Sequence, residues 1–332
     1  MREPPFWWRQ GGVAAALLAP LAAVYGTVAA WRIARHGVKA GVPVVCVGNP
    51  TVGGAGKTPA ALAIAQMLKA DNETPVFLTR GYGGRLAGPL QVDPAQHRAS
   101  DVGDEPPLLA RVAPTIVAHD RAQGAQAAAA AGASVIVMDD GFQNPSLAKD
   151  FSVLVVDARR GLGNGRVIPA GPLRSPLAGQ LDRAQALVVV GEGGAAGVAR
   201  KRSMPVFSAR LVPDRAFIAS LAGRRVLAFA GIGDPEKFFA TLREAGVAIA
   251  ATRSFDDHHR YSSAEVAALC GDAERAGHVL VTTEKDMARM RGNPELEIIS
   301  GRSRALPVAL VFDDEAGFRS LLRAEVARAR VR

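Results

Sequence analysis

Cysteine is nearly missing from this 332-residue chain, which holds 2, Cys46 and Cys270. Two thiols so far apart, without metal-ligand spacing, exclude a disulfide scaffold and a zinc module and make a reducing compartment the default. Aromatic residues are also sparse, at 5%. The basic residues are dispersed without aromatic side chains between them, which disfavours a nucleic-acid surface built on base stacking. Between Arg9 and Arg32 there is no charged residue at all.

The rest of the composition is that of a folded protein. Apolar residues make up 48% and charged residues 21%, which excludes a disordered or collagen-like chain. The length predicts roughly two domains and a substantial core. Lys+Arg 40 against Asp+Glu 31 gives a net charge of +9, so the partner classes are acidic: nucleic acid, a phosphorylated ligand or an anionic membrane.

The uncharged run, residues 10–31, would span about 33 Å as one helix, close to the hydrocarbon thickness of a bilayer. Trp7 and Trp8 stand at one end and Trp31 at the other, where interfacial aromatics belong. A secretory signal peptide fits less well, because no small-residue cleavage site follows. A buried core helix is the remaining alternative, since Ala and Gly make the run only mildly apolar and Pro20 would kink it. The expectation is an N-terminal membrane-associated helix over residues 1–40, either spanning the bilayer or lying in its interface.

Residues 43–48 (PVVCVG) read as a buried parallel strand. They lead into Asn49-Pro-Thr-Val-Gly-Gly-Ala-Gly-Lys-Thr58 and then a helical pattern. Strand, glycine loop, Gly-Lys-Thr and helix is the context that makes a Walker A match meaningful. Residues Thr51, Val52, Gly53, Gly54, Ala55, Gly56, Lys57 and Thr58 form the candidate phosphate cradle. The glycines let backbone N–H groups turn inward at a helix N-terminus. Lys57 supplies a charge to the β- and γ-phosphates, and the Thr58 hydroxyl can ligate Mg²⁺. Residues 133–140 end an apolar run in Asp139 and Asp140, a Walker B pattern whose carboxylates hold Mg²⁺ opposite Thr58. A nucleoside triphosphate with Mg²⁺ is therefore the expected ligand. The guanine-specifying N-K-x-D sequence is absent, and Thr283-Glu-Lys-Asp286 has the wrong order for it, which points to ATP.

Further polar clusters stand where strands should give way to loops. In order, VGNPTVGGAGKTP, TRGYGG, GDEP, DDGFQ, GNGRVIPAGPLR, the Asp256-Asp-His-His259 segment and VTTEKD run from about residue 44 to 286. Taken together, this ordered set resembles the tetraacyldisaccharide 4'-kinase family, the lipid A 4'-kinases of Gram-negative bacteria. The resemblance implies transfer of the ATP γ-phosphate to the 4'-hydroxyl of a tetraacylated glucosamine disaccharide 1-phosphate, at the cytoplasmic face of the inner membrane. By motif, Asp104 would be the base for the sugar hydroxyl and His258 its partner across a cleft. Asp139 and Asp140 would organise Mg²⁺, and Arg174 would face phosphate on nucleotide or lipid. The family commonly has His where this chain has Asn144 and Glu where it has Ser175, so the roles of those positions stay open. The Walker pattern wants Gly where this chain has Thr51, and the family's loop looks the same.

The expected fold is α/β, a P-loop domain over residues 41–212 with a mostly parallel sheet, and a smaller α/β domain over 213–332. The latter follows from strands RRVLAFAGI, VAIAATRSF, HVLVTT and LPVALVFD alternating with helices. Gly191–Gly197 reads as a loop. Two rival functions remain. A different P-loop transferase acting on a small molecule would not need residues 1–36. A membrane-bound regulatory ATPase would hydrolyse ATP slowly, respond to a protein partner and make no phosphorylated lipid.

Overall fold

In the computed structural model of the chain, the described residues are 3–193 and 203–331. Residues 194–197 of the expected glycine loop lie outside them. The strands of the first half are β1 Val44–Gly48, β2 Pro75–Thr79, β3 Leu90–Gln91, β4 Thr115–Val117 and β5 Val135–Asp139. They continue with β6 Phe151–Asp157, β7 Ala186–Val190 and β8 Val206–Pro213. The second half supplies β9 Arg225–Ala230, β10 Ala248–Ser254, β11 Val279–Thr283, β12 Ser303–Leu306 and β13 Val308–Phe312.

Among the described residues these strands form two sheets. The larger has nine strands in the order β13-β8-β7-β6-β1-β5-β2-β4-β3, and the smaller has four, β10-β9-β11-β12. Pairing is parallel throughout except at the two edges of the large sheet, where β13 runs antiparallel to β8 and β3 to β4. Both faces of β1 are buried, as a short Val-rich run requires in a covered parallel sheet. Val45 and Val47 pack with the helices Lys57–Ala70 and Glu315–Val331 on one face. Val44 and Cys46 pack on the other face with Ala125 and Ala128 of the helix Arg121–Ala130. The smaller sheet is covered by Pro235–Glu244 on one side and by Ser263–Ala276 and Glu284–Met290 on the other.

Two expectations are corrected. The run 10–31 is not one helix. A 3-10 turn at Pro5–Trp8 precedes the short helices Val13–Leu17 and Ala19–Ile33. Gly11 and Gly12 hold positive φ, and Pro20, without an N–H and bulky toward the preceding turn, sits in the first turn of the second helix. Among the described residues no helix is long and apolar enough to cross a membrane. At 1.5 Å per residue, the 15 residues of Ala19–Ile33 reach about 22 Å, short of a 30 Å hydrocarbon layer. The second correction concerns the end of the chain. The expected strand LPVALVFD is cut at Pro307 into β12, in the small sheet, and β13, in the large one. The helix Glu315–Val331 then packs on the large sheet through Phe318, Leu322 and Val326. The smaller unit thus ends near residue 306, and the chain's last stretch belongs to the larger one.

Candidate active site

The phosphate loop lies at the C-terminal end of β1, between its Walker B neighbour β5 and β6. Gly48 has no room for a side chain, because a Cβ there would strike Phe142 of the Asp-Asp-Gly-Phe turn. The absence of one lets that turn close against the loop. Gly56 takes φ 92 as the residue before the helix, a left-handed conformation that L side chains avoid. The loop is pinned on its outer side by residues 172–174. The Val52 N–H donates to Pro172 O at 2.9 Å, and Arg174 Nε donates to Thr51 O at 3.0 Å. Asn49 Nδ2 bridges back to Gly53 O, and no heavy atom lies within 4 Å of a Cβ built at Gly54.

Lys57 and Thr58 open the helix and face the end of β5. Lys57 Nζ donates to Asn49 Oδ1 at 3.1 Å and lies 3.5 Å from Asp140 Oδ2. Burial, with Arg174 nearby, lowers its pKa against the pull of Asp140. Asp140, at φ 56, accepts both ends of the Arg174 guanidinium, at 2.7 and 3.2 Å. Burial opposes its charge, but Lys57 and Arg174 outweigh it and hold Asp140 down at about 2. Asp139 is different. Its Oδ2 accepts the Thr58 hydroxyl at 3.0 Å, while its Oδ1 is buried without any hydrogen-bond partner. Burial and the charge of Glu105 push its pKa up. An unpaired buried acceptor costs about 1–3 kcal/mol. A divalent cation beside Thr58 would remove that cost and favour the charged form of Asp139, so the residues present fit Mg²⁺. Among the described residues no three His, Cys, Asp or Glu side chains converge as a metal site, so a cation here would find the Thr58 hydroxyl and two carboxylates, with phosphate and water left to complete the shell.

Asp104 approaches from the loop before residue 106 and is 4% exposed. His258 comes from the smaller unit at φ 56, and its Nδ1 lies 3.2 Å from Asp104 Oδ2. The sequence-predicted pair is therefore in contact. Burial opposes the charge on Asp104, but the hydrogen bond from His258 and the charges of Arg289 and Lys285 hold it well below the usual carboxylate range. The same hydrogen bond raises His258, against burial. The neighbouring His259 is engaged elsewhere. It stacks on Phe255 and pairs with Glu265, the capping residue of the next helix. The two units also meet nearer the phosphate loop. A Cβ at Gly233 would sit 3.3 Å from Gly54 N, and Lys237 pairs with Asp157 at 2.5 Å.

Sequence reasoning misses several participants. Arg289 Nε donates to Asp104 Oδ2 at 2.7 Å, and Lys285 Nζ donates to Glu105 at 2.5 Å. Glu105 is the third letter of GDEP, and Lys285 lies within VTTEKD, a motif whose residues suggest no role by themselves. Arg289 lies three residues beyond that motif, on the same helical face as Asp286. Glu3 is equally silent in the sequence. Its carboxylate crowds Gly53, where a Cβ would strike it, and it pairs with Arg160 at 2.8 Å. Gln143 joins Asn49 O to buried Gln180, so an amide pair ties the phosphate loop to the turn after β5 and to the helix Leu177–Leu181.

A glycine loop at a helix N-terminus, facing a carboxylate pair at the C-terminal end of the adjacent parallel strand, defines a P-loop nucleotide-handling protein. The chain matches the family described as tetraacyldisaccharide-1-P 4'-kinase, LpxK, over residues 14–327. It is 55% identical over 334 residues to the tetraacyldisaccharide 4'-kinase of Nitrobacter winogradskyi, covering 99% of each chain. It is 54% identical over 336 residues to that of Bradyrhizobium diazoefficiens, covering 100% of this chain and 98% of the other. A crystal structure of LpxK from Aquifex aeolicus, described as an "apo" form in complex with ATP, superposes with a TM-score of 0.73 at 25% identity, covering 94% of this chain and 99% of that one. The chain belongs to the tetraacyldisaccharide-1-P 4'-kinase family.

Proposed function

We propose that this protein transfers the γ-phosphoryl group of ATP to the 4'-hydroxyl of a tetraacylated glucosamine disaccharide 1-phosphate in lipid A synthesis, at the cytoplasmic face of the bacterial inner membrane. The observation that carries this reading is the contact between Asp104 and His258 beside a Walker loop, in a chain of this family. A regulatory ATPase needs the loop but has no use for a carboxylate–imidazole pair waiting for an acceptor.

Residues 51–58 cradle the triphosphate. Thr58, Asp139 and Asp140 would hold Mg²⁺, which when bound neutralises phosphate charge and polarises the transferring group. In the transfer itself the sugar O–H bond breaks, an O–P bond forms at the γ-phosphorus and the bond to the β-phosphate oxygen breaks, releasing ADP. The proton passes to Asp104 and from there to solvent. A carboxylate held at low pKa suffices, because in a loose transition state the proton leaves late. Both cations now on Asp140, Lys57 and Arg174, stand close enough to the loop to exchange that carboxylate for phosphate oxygens.

The helix Ala19–Ile33 supports the membrane part of the reading. Leu21, Val24, Tyr25, Val28 and Trp31 are exposed, at spacings that align them along one side, while Ala22 and Gly26 face the protein body. Arg35 caps the end of the stripe with its guanidinium 4.4 Å from the Trp31 ring. An apolar stripe turned to the outside, followed by cations, suits a helix lying in the headgroup region over an acyl-chain substrate.

The test is direct. Purified protein, ATP, Mg²⁺ and acylated disaccharide 1-phosphate are incubated in detergent, and a bisphosphorylated product is sought by mass. The product is expected; its absence from protein that binds ATP overturns the kinase reading.

A further inference from the structure

The helix Glu284–Met290 carries two charged side chains that a solvated helix has no reason to bury. Asp286 is 0% exposed and accepts four donors: Gly231 N at 3.0 Å, Tyr261 Oη at 2.8 Å, Thr283 Oγ1 at 2.6 Å and Arg289 Nη1 at 2.8 Å. With three donors on Oδ1 and one on Oδ2, this buried carboxylate is committed to holding its neighbours. It is an anchor, and Arg289, one turn further on, is what it anchors. Arg289 Nη1 also donates to Gly231 O at 2.7 Å, and the His258 N–H donates to that same carbonyl at 3.1 Å. Gly231 therefore fixes the guanidinium and the backbone of the histidine to one point.

From that node, Arg289 Nε and His258 Nδ1 reach across to the larger unit and converge on a single atom, Asp104 Oδ2, at 2.7 and 3.2 Å. Neither uses Oδ1. The arrangement differs from a lone Asp–His pair, in which the imidazole proton alone decides where the carboxylate points. Here a permanent cation holds the carboxylate whatever the state of the histidine.

We infer that Arg289, anchored by Asp286, is a positioning residue for phosphoryl transfer: it fixes Asp104 Oδ2 so that Oδ1 meets the acceptor hydroxyl. Because Arg289 is carried by the smaller unit, the base is aimed only while the two units are docked. This deepens the kinase reading and rests on it. A misplacement of the base by about 1 Å typically costs about 100-fold in turnover.

The experiment compares wild type with Arg289→Ala, Arg289→Gln and Arg289→Lys in the lipid-product assay, with folding checked by circular dichroism. Asp286 keeps its other three donors in each variant. Arg289→Ala and Arg289→Gln are expected to lose about 100-fold in kcat with KM for ATP within about twofold. Arg289→Lys should recover part of that loss, and added guanidinium should partly rescue Arg289→Ala. The acid limb of the kcat profile should also move to higher pH. The charged groups facing Asp104 are His258, Arg289 and Lys285, with Asp257 beside His258, and the Arg289 charge lowers both Asp104 and His258. An unchanged kcat in folded Arg289→Gln overturns the inference. So does a loss that neither guanidinium nor lysine relieves, with an unmoved pH profile. If only Arg289→Lys folds, a fully wild-type kcat in that variant is equally decisive, since an ammonium keeps the charge but cannot reproduce the paired Nε and Nη1 contacts. Wild-type protein making no lipid product overturns the kinase reading instead, a distinguishable outcome.

Discussion

The two ends of the site are built in opposite ways. The phosphate end is local: residues 49–58 form one loop from β1 into the helix Lys57–Ala70, completed by Asp139 at the end of the adjacent strand and Asp140 just after it. The acid end is assembled at a distance, since the Asp104–Arg289 contact joins residues 185 apart in sequence and Asp104–His258 crosses the same boundary between the units. A local cradle is rigid as soon as its sheet is folded. An acid end shared by two units exists only when they are docked. On the proposed reading, nucleotide binding would rest mainly on the larger unit, although Gly233 of the smaller one comes close to Gly54, and acceptor activation would rest on both.

The sharpest way to break that division is to remove one residue from each end. Lys57→Ala and Asp104→Ala are each expected to abolish the bisphosphorylated product, a loss of at least about 1,000-fold. They should differ in nucleotide binding. Lys57→Ala should weaken ATP binding measured by calorimetry, and Asp104→Asn, chosen to keep a partner for buried Arg289, should leave it within about twofold. Equal losses of ATP affinity in both variants would show that the ends are not separable.

His258→Ala is expected to cost less, about 100-fold in kcat, because Arg289 still holds Asp104. Its effect on stability sharpens the comparison through pH. The bridge between the units adds stability only where Asp104 is ionised and His258 protonated. Asp104 is lowered from its ordinary 3.8, so its contribution is whole above about pH 4 and is lost as pH falls through the folded value. His258 is raised from 6.5, so its contribution is whole below about pH 6.5 and is lost as pH rises through the raised value. The Tm difference between wild type and His258→Ala should be widest from about pH 4 to 6.5 and should close toward pH 9. It should be small, about 2 °C or less, because a half-buried pair is screened by solvent. A Tm difference constant from pH 5 to 9 would show that the imidazole acts there by packing alone.

The difference between the ends also explains what can be read from residues alone. Gly56, Lys57 and Thr58 are contiguous, and the left-handed backbone before the helix calls for the glycine, so the cradle is legible. Asp139 and Asp140 are legible because an apolar strand ending in carboxylates is a local pattern as well. Asp104 and His258 come only with the family's ordered motifs, since neither residue carries a local signature. Arg289 is invisible, because nothing within a few residues of it reveals that its partner lies across a domain boundary. Pro307 is visible, but its effect is not: it reads as one residue inside an apolar run, yet it divides that run between two sheets. The N-terminal run shows the reverse error. Its lack of charge suggests a length sufficient to span a bilayer, while Gly11, Gly12 and Pro20, all in plain sight, break it into shorter helices.

That N-terminal helix supplies the test with the smallest expected effect on turnover, and it probes a region outside both ends of the site. Replacing Leu21 and Val24 with serine removes apolar surface that is 61% and 67% exposed, so no core contact is lost and the fold should be unchanged. If the stripe rests among lipid headgroups, each side chain adds part of the 1.5–3 kcal/mol or so that full burial of a Leu or Val yields, and the double variant should bind anionic vesicles about tenfold more weakly in sedimentation. In detergent micelles, where substrate reaches the site without the helix, kcat should stay within about twofold of wild type. On vesicles carrying the substrate, activity should fall in step with binding. Unchanged vesicle binding would remove the stripe from the membrane contact, while a matching loss in micelles would place it in the reaction itself rather than in delivery of the lipid.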